Sequence, residues 1–137
     1  MRLAFALLAA TFLWPACRPS GPAASAPLTK VEVTDPRYEG LVFLVATVRR
    51  SGSGFTITND STQPWFDVTV VLATGGADEY RLQLSEVDAG QTVTASAAQF
   101  VTPGGVTFDA RRVMPNTLIV SAEIGEGGPT GVYAVRL

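Results

Sequence analysis

Strict alternation of apolar and polar residues is the feature that most limits what this chain can fold into. In residues 79–85, the apolar Tyr80, Leu82 and Leu84 alternate with polar residues. A period of two places one face of a β-strand against a core and the other face in water. Residues 30–137 contain no convincing helical period. The pattern therefore predicts an all-β domain.

Further runs with this alternation follow one another at short intervals. They span residues 55–59, 66–72, 92–97, 106–110, 118–124 and 133–137, and residues 41–50 form a further predicted strand, joined to 55–59 as a hairpin. Segments rich in Gly, Pro, Asn and Asp separate them and are typical of turns. Seven to eight short strands, with turns about every ten residues, predict an Ig-like antiparallel β-sandwich.

The N-terminus has the composition of an export signal. Arg2 provides a positive charge, residues 3–14 are uncharged and mostly apolar, and Ala16 precedes the only cysteine, Cys17. The apolar run is shorter than the roughly 20 residues that a transmembrane helix needs. We therefore predict a signal peptide at residues 1–16 and an exported protein.

Cys17 is a lone thiol, so it cannot form a disulfide within the chain. The stretch Trp14-Pro15-Ala16-Cys17 resembles the lipobox of bacterial lipoproteins at Ala16 and Cys17 and departs from it at Trp14 and Pro15. The resemblance implies that Cys17 becomes an acylated N-terminus that anchors the protein to a membrane. Cleavage by ordinary signal peptidase after Ser25 is the alternative.

Residues 17–29 are rich in Pro, Ala, Ser and Gly and nearly lack large apolar side chains. Such a composition cannot bury enough surface to fold, so we predict a flexible tether followed by one domain at residues 30–137. Arg18 follows the cysteine, where some Gram-negative lipoproteins have an Asp that retains them in the inner membrane. By this resemblance, the outer membrane is the expected location.

The composition excludes the commonest catalytic chemistries. The chain has no histidine, and Cys17 lies in the predicted tether, so Ser-His and Cys-His arrangements are impossible. The acids are scattered over predicted turns and polar strand faces without the spacing of a calcium-binding loop. We expect no catalytic residue, no metal site and no cofactor. A hydrolase that uses two carboxylates is the remaining enzymatic alternative.

Charge argues against nucleic acid as a partner, since the net charge is −2 and the arginine pairs are isolated. Three residues are candidates for contact with a ligand or partner. Trp65 is expected to fill the core, or else to offer its ring to a sugar or peptide. Arg111 and Arg112 are expected to be solvated, or else to bind a carboxylate or phosphate.

Residues 41–46 are apolar on both faces of the predicted strand. We expect a central strand that is covered on both sides, because large exposed apolar patches are uncommon on soluble domains. The alternative is an exposed strand face that docks a partner.

Several runs together are similar to a recurring bacterial pattern. They comprise residues 55–59, 65–70 and 80–84, the turn at Gly90-Gln91, and Phe100 and Phe108 around residues 103–105. Over residues 55–137 the chain resembles the small Ig-like, FxLYD-like sandwich domains of exported proteins, although the Phe-x-Leu-Tyr-Asp signature itself is absent. The resemblance implies a fold and an exported location, and no catalytic residues.

These observations predict a non-enzymatic, lipid-anchored interaction or accessory module of the cell envelope, with the membrane and an envelope protein as partners. An alternative is a structural or assembly subunit that pairs edge to edge through an open strand at residues 132–137. The carboxylate-dependent hydrolase is the third reading.

Overall fold

A computed structural model describes residues 25–137, so the predicted signal peptide, Cys17 and most of the predicted tether lie outside the described residues. The strands are β1 (Val42–Phe43), β2 (Ala46–Ser51), β3 (Gly54–Asn59), β4 (Trp65–Ala73), β5 (Glu79–Val87), β6 (Thr92–Ser96), β7 (Thr117–Ile124) and β8 (Thr130–Arg136). They form a five-stranded sheet in the order β1-β8-β7-β4-β5 and a three-stranded sheet in the order β2-β3-β6. The predicted all-β sandwich is confirmed.

The main core lies between the two sheets and follows the alternation in the sequence. On β5, Tyr80 and Leu82 are buried, whereas Arg81 and Gln83 are exposed. The largest fully buried side chains include Trp65, Phe100, Ile57, Leu72 and Leu118. On β5 the residues of one face therefore contribute to the main core, as the period of two predicts.

The chain changes sheet four times: between β1 and β2, between β3 and β4, between β5 and β6, and between β6 and β7. Its hairpins are β2–β3, β4–β5 and β7–β8, and each pairs antiparallel.

A second, smaller core covers the outer face of the five-stranded sheet. Residues 31–41, which we call the strap, lie across this face. The Val31 N–H donates to the Ala134 carbonyl of β8 (2.9 Å), and Arg37 forms an ion pair with Glu79 at the start of β5. The apolar contacts of this layer join four strand residues to four strap residues: Val71, Ile119, Val132 and Ala134 with Val31, Val33, Tyr38 and Leu41.

The strap contains a short 3-10 turn, Pro36–Tyr38. The Asp35 carboxylate accepts a hydrogen bond from the Arg37 N–H (2.9 Å), which caps the turn. Pro36 stands at the start of the turn, where its fixed φ is suitable and its missing N–H costs nothing. Local sequence thus determines this bend even though no regular period marks it.

The prediction that residues 41–46 form a central, doubly covered strand is wrong. Strand β1 comprises only Val42–Phe43 and lies at the edge of its sheet, parallel to β8. Val42, Phe43 and Val45 are 43%, 59% and 59% exposed, and only Leu44 is buried. The chain leaves the five-stranded sheet after β1 and joins the three-stranded sheet as β2, so this apolar run belongs to a transition between sheets.

The prediction of an open edge at residues 132–137 is also wrong. Strand β8 lies between β7 and β1, and its Arg136 N–H also donates to the Thr29 carbonyl (3.0 Å). Both sides of β8 are therefore occupied by backbone partners. The edge strands are β1 and β5 in the larger sheet, and β2 and β6 in the smaller one.

The predicted strand at residues 106–110 is absent, which is a further correction. Only isolated bridges occur here, between Val101 and Thr107 and between Arg81 and Val101. Phe108 is buried in the main core, but Val106 is 61% exposed. A tight turn returns the chain, with Thr102 N–H bonded to the Val106 carbonyl (2.9 Å), and the run is too short to build a ladder.

The chain contacts the domain before residue 30. Pro27 forms an antiparallel bridge with Arg49, and the Leu28 N–H donates to the Val48 carbonyl of β2 (2.8 Å). The segment around Lys30 then bridges to Val135 of β8. Residues 27–30 thus join an edge of one sheet to the other sheet and precede the strap.

Candidate interaction surface

The acidic side chains of the described residues bear on the hydrolase alternative. Within residues 25–137, no group of three or more Asp, Glu or Cys side chains could hold a metal ion. Glu32 and Asp35 line a groove between the strap and the five-stranded sheet. Hydrogen bonds from Arg37 lower the pKa of Asp35. A general acid needs a raised pKa, so this pair does not favour the hydrolase reading.

Arg37 lies at the centre of an ion-pair cluster that attaches the strap to β5. Its Nη1 donates to Glu79 Oε2 (3.0 Å), its Nε donates to Asp35 Oδ2 (3.0 Å), and Arg81 Nη2 donates to Glu79 Oε2 (3.1 Å). The hydrogen bonds from Arg37 are the main reason why the pKa values of Glu79 and Asp35 are lowered. Because the charges satisfy one another, this cluster fastens the strap and leaves no free charge for a ligand.

The edge strand β1 presents the most concentrated apolar surface of the domain. Val42, Phe43 and Val45, which we call the Phe43 edge, are three of the six exposed large hydrophobic residues in the described part of the chain. The buried Leu44 lies among them, and because successive side chains of an extended chain point to opposite sides, it directs its neighbours Phe43 and Val45 towards solvent. Scattered surface hydrophobics are normal, but three within four residues on a sheet edge are typical of an interaction site.

A cation and a phenol flank the Phe43 edge. Lys30 Nζ lies 4.5 Å from the centre of the Phe43 ring and 5.7 Å from that of Tyr133, within the range of cation–π attraction. Burial, followed by the negative charge of Asp60, raises the pKa of Tyr133. Its hydroxyl therefore stays protonated at neutral pH, and Lys30 supplies the positive charge at this position.

Asp60 holds the other side of the Phe43 edge in place. Its N–H donates to the Val45 carbonyl (3.0 Å), and its carboxylate accepts from Thr47 Oγ1 (2.6 Å). The apolar side chains are thus bordered by Lys30 on one side and Asp60 on the other. An apolar centre with a polar rim is the usual anatomy of a protein–protein interface.

Asn59, next to Asp60, is the one buried residue with a polar or charged side chain among residues 25–137, and its side-chain amide is hydrogen-bonded at both ends. Its Nδ2 donates to the carbonyls of Gln63 (2.9 Å) and Val87 (3.1 Å), and its Oδ1 accepts from the Ser61 N–H (3.0 Å). This Asx turn fixes the loop that carries Asp60. The Phe43 edge is therefore supported by a rigid loop.

The other candidates from the sequence lie elsewhere. Trp65 is fully buried, in agreement with the expectation that it fills the core, and so it presents no ring surface to a ligand. Its Nε1 has no hydrogen-bond partner within residues 25–137. Arg111 and Arg112 lie on the exposed loop after Phe108, where Asp109 accepts from the Arg111 N–H (2.9 Å) and lies 3.6 Å from Arg112 Nε.

The structure does not bring Trp65 and the arginine pair together. Val42, Phe43 and Val45 belong to the run for which the sequence favoured burial over an exposed docking face, because an apolar run on both faces is typical of a buried strand. The signal that could have identified them is the position of the run. It directly follows a turn-forming segment, Tyr38-Glu39-Gly40, and directly precedes a hairpin strand.

Comparisons with protein-family models, curated proteins and solved structures found no significant match to this chain. The resemblance to FxLYD-like domains therefore stays a prediction. No helix in the part of the chain that the structure describes is long and apolar enough to cross a bilayer.

Proposed function

We propose that this protein is a lipid-anchored interaction module of the bacterial cell envelope, which binds a partner protein through the Phe43 edge. The observation that supports it most directly is the exposure of Val42, Phe43 and Val45 on an edge strand. Export and anchoring are supported by the signal-like residues 1–16 and by Cys17. The domain is the part that recognises the partner, and the tether keeps it near the membrane.

The edge position of β1 favours addition of a strand from the partner. One side of β1 pairs with β8, and the other side of an edge strand presents unpaired backbone groups. An extended segment that pairs there would receive its affinity from main-chain hydrogen bonds and its specificity from pockets for alternate side chains. The apolar Phe43 edge and the charge of Lys30 favour a partner segment that carries aromatic or aliphatic side chains and one acidic side chain, which would pair with Lys30.

Isolation from native membranes tests this proposal. A tagged wild-type chain is compared with Phe43→Ser, and Val106→Ser is the matched control because Val106 is 61% exposed on a different loop. We expect one envelope protein to accompany the wild type and the Val106 variant and to be lost from the Phe43 variant. Equal recovery with all three chains would contradict the proposal.

The anchor is tested separately with Cys17→Ser. Cells grown with a fatty-acid analogue should label the wild type and not the variant, and the variant should leave the membrane fraction upon washing. If the variant takes up label and stays with the membrane, the lipid anchor is wrong.

A second candidate function is assembly of the chain with itself through β1. It is favoured by one observation, the edge position of this strand, since two copies could pair their β1 strands around a twofold axis. Sedimentation over a range of concentrations distinguishes it. Self-assembly requires a concentration-dependent dimer that Phe43→Ser abolishes, whereas the leading proposal requires a monomer.

A further inference from the structure

Charge is distributed unequally along the long axis of the sandwich. One end is formed by the β2–β3 turn, the β4–β5 turn, the loop at residues 109–116 and the C-terminus, and we call it the tether end. The opposite end is formed by the loops after β3, β5 and β7, and we call it the acidic end. The strand registers place all basic residues of the described chain in the half next to the tether end: Lys30, Arg37, Arg49, Arg50, Arg81, Arg111, Arg112 and Arg136.

The acidic end carries carboxylates without basic neighbours in the described chain. They are Asp60, Asp67, Glu86, Asp88, Glu123 and Glu126. Acids also occur towards the tether end, among them Glu32, Asp35, Asp78, Glu79 and Asp109. Asp35 and Glu79 are paired with Arg37 and Arg81, and Asp109 is paired with Arg112. Basic residues therefore outnumber acids in the half next to the tether end, and the molecule is an electric dipole.

The chain enters the domain at the basic end. Ser25, the first described residue, accepts a hydrogen bond on its carbonyl from Arg49 Nη1 (2.7 Å), and its hydroxyl donates to the Arg50 carbonyl. Eight peptide units separate Ser25 from Cys17, which limits their distance to about 28 Å even for a fully extended chain. An acyl group on Cys17 would thus keep the tether end within reach of the membrane surface.

The tether end also has an apolar protrusion. Met114 is 84% exposed, the highest value among the exposed large hydrophobic residues described. It borders a groove of about 190 Å³ whose lining includes Arg50, Phe55, Phe108 and Pro115. Arg111 and Arg112 are exposed on the same loop. Met114 thus shares a loop with Arg111 and with Arg112, which also lies 3.6 Å from Asp109. An exposed apolar side chain beside cations favours binding at an anionic lipid interface, where apolar groups enter the headgroup region and cations are attracted to lipid phosphates.

We propose that the tether end of the domain docks on a bilayer containing anionic lipids, with Met114 at the headgroup level and Arg111 and Arg112 against lipid phosphates. This proposal rests on the proposed lipid anchor, which brings the tether end to the surface. Docking turns the acidic end away from the membrane and holds the sandwich upright. The Phe43 edge, on the side of the sandwich, then stays accessible to a partner.

A fluorophore that responds to polarity tests the docking. It is attached through Met114→Cys in the full acylated chain, reconstituted into vesicles of phosphatidylcholine alone or of phosphatidylcholine with an equal part of phosphatidylglycerol. The matched control attaches it through Glu126→Cys at the acidic end. We expect a blue shift, and quenching by bromine-labelled lipids, only for position 114 and only on the anionic vesicles.

Charge reversal should weaken the docked state. Each cation near an anionic surface favours the docked state roughly five-fold, so Arg111→Glu with Arg112→Glu should lower the ratio of docked to undocked domains by about 25-fold or more. High salt should lower the ratio in the wild type as well, because counter-ions screen the headgroups. The proposal is overturned if positions 114 and 126 respond alike, or if neutral vesicles give the same shift as anionic ones.

Failure of the anchor can be told apart from failure of the docking. In the wild type, a thiol reagent labels Cys17 only if the thiol is not acylated. If Cys17 is labelled, the anchor proposal fails, and the fluorophore is then attached at position 114 in a Cys17→Ser background with vesicles added. A blue shift with added anionic vesicles supports docking by the domain itself, and its absence overturns it. If Cys17 is blocked while position 114 stays in water, the anchor holds and the docking is wrong.

Discussion

Leu44 packs directly against the backbone of Gly131. A Cβ placed on Gly131 would lie 2.5 Å from Leu44 Cδ2 and 3.0 Å from Ile124 Cδ1, so this position has no room for a side chain. Gly131 pairs with Val42 across the β1–β8 ladder. The inward position of Leu44 leaves Phe43 and Val45 facing solvent. The exposure of the Phe43 edge thus depends on a glycine in the neighbouring strand.

We expect Gly131→Ala to destabilise the protein and to displace β1. Overpacking of a filled core site typically costs about 1–3 kcal/mol, and Leu44 would have to move outwards to relieve the contact. Urea denaturation measures the loss, and hydrogen exchange at Leu44, whose N–H bonds to the Val132 carbonyl (3.0 Å), reports the displacement. Gly90→Ala is the control for adding a methyl group where there is space, although its φ of 75° adds local strain. Unchanged protection of Leu44 in the Gly131 variant would contradict this account.

The attachment of the strap should depend on pH. The pKa values of Asp35 and Glu79 are lowered in the folded state, chiefly by hydrogen bonds from Arg37, so folding favours their ionised forms. Their contribution is present at neutral pH and is lost as the pH falls below about 4, through the lowered folded-state pKa values. The free energy of unfolding of the wild type should therefore fall on acidification. The difference in this free energy between wild type and Glu79→Gln should become smaller over the same pH range.

Denaturant titrations between pH 3 and pH 7 measure this difference. Glu126→Gln is the control, because Glu126 has no ion-pair partner in the described chain. The control should follow the wild type at every pH. If the free energy of unfolding differed between wild type and the Glu79 variant by the same amount at every pH, ionisation of the cluster would contribute nothing to stability.

Trp65 should behave as a core residue in solution. The chain has two tryptophans, Trp14 and Trp65, and Trp14 lies in the predicted signal peptide. Trp65 is therefore the only tryptophan of the processed protein, and Trp14→Phe ensures the same in an unprocessed chain. Because Trp65 is fully buried, its emission should lie at short wavelength, and iodide should not quench it until the protein unfolds. Efficient quenching of the folded protein would show an accessible ring and would restore Trp65 as a candidate for ligand contact.

The fold class could be predicted from the sequence because several strands, β5 above all, combine a clear alternation with a nearby turn. Tyr80 and Leu82 are buried as their period requires. Which strands lie at the sheet edges could not be predicted. Whether β8 is an edge strand depends on its pairing with β1, which is distant in the sequence. The apolar pattern of β8 is compatible with an outer or an inner place in the sheet.

The candidate site was the least predictable part. Residues 41–46 have the composition of a buried strand, and only the transition of the chain between two sheets exposes Phe43. Likewise, the strap has no regular period, yet it covers Val71 and Ile119 on the outer sheet face. Val71 of β4 and Ile119 of β7 interrupt the alternation of their strands. They are apolar because the strap covers them, and the alternation gives no sign of this extra layer.

Site-specific photocrosslinking tests the central claim most directly. A photoreactive amino acid replaces Phe43 in the native host. The same replacement at Val106 is the control, because Val106 is exposed to nearly the same extent as Phe43. The account predicts one discrete adduct with another envelope protein from position 43 and none from position 106. No adduct at position 43, or the same adducts at both positions, would contradict it, and an adduct with a second copy of the chain would favour self-assembly instead.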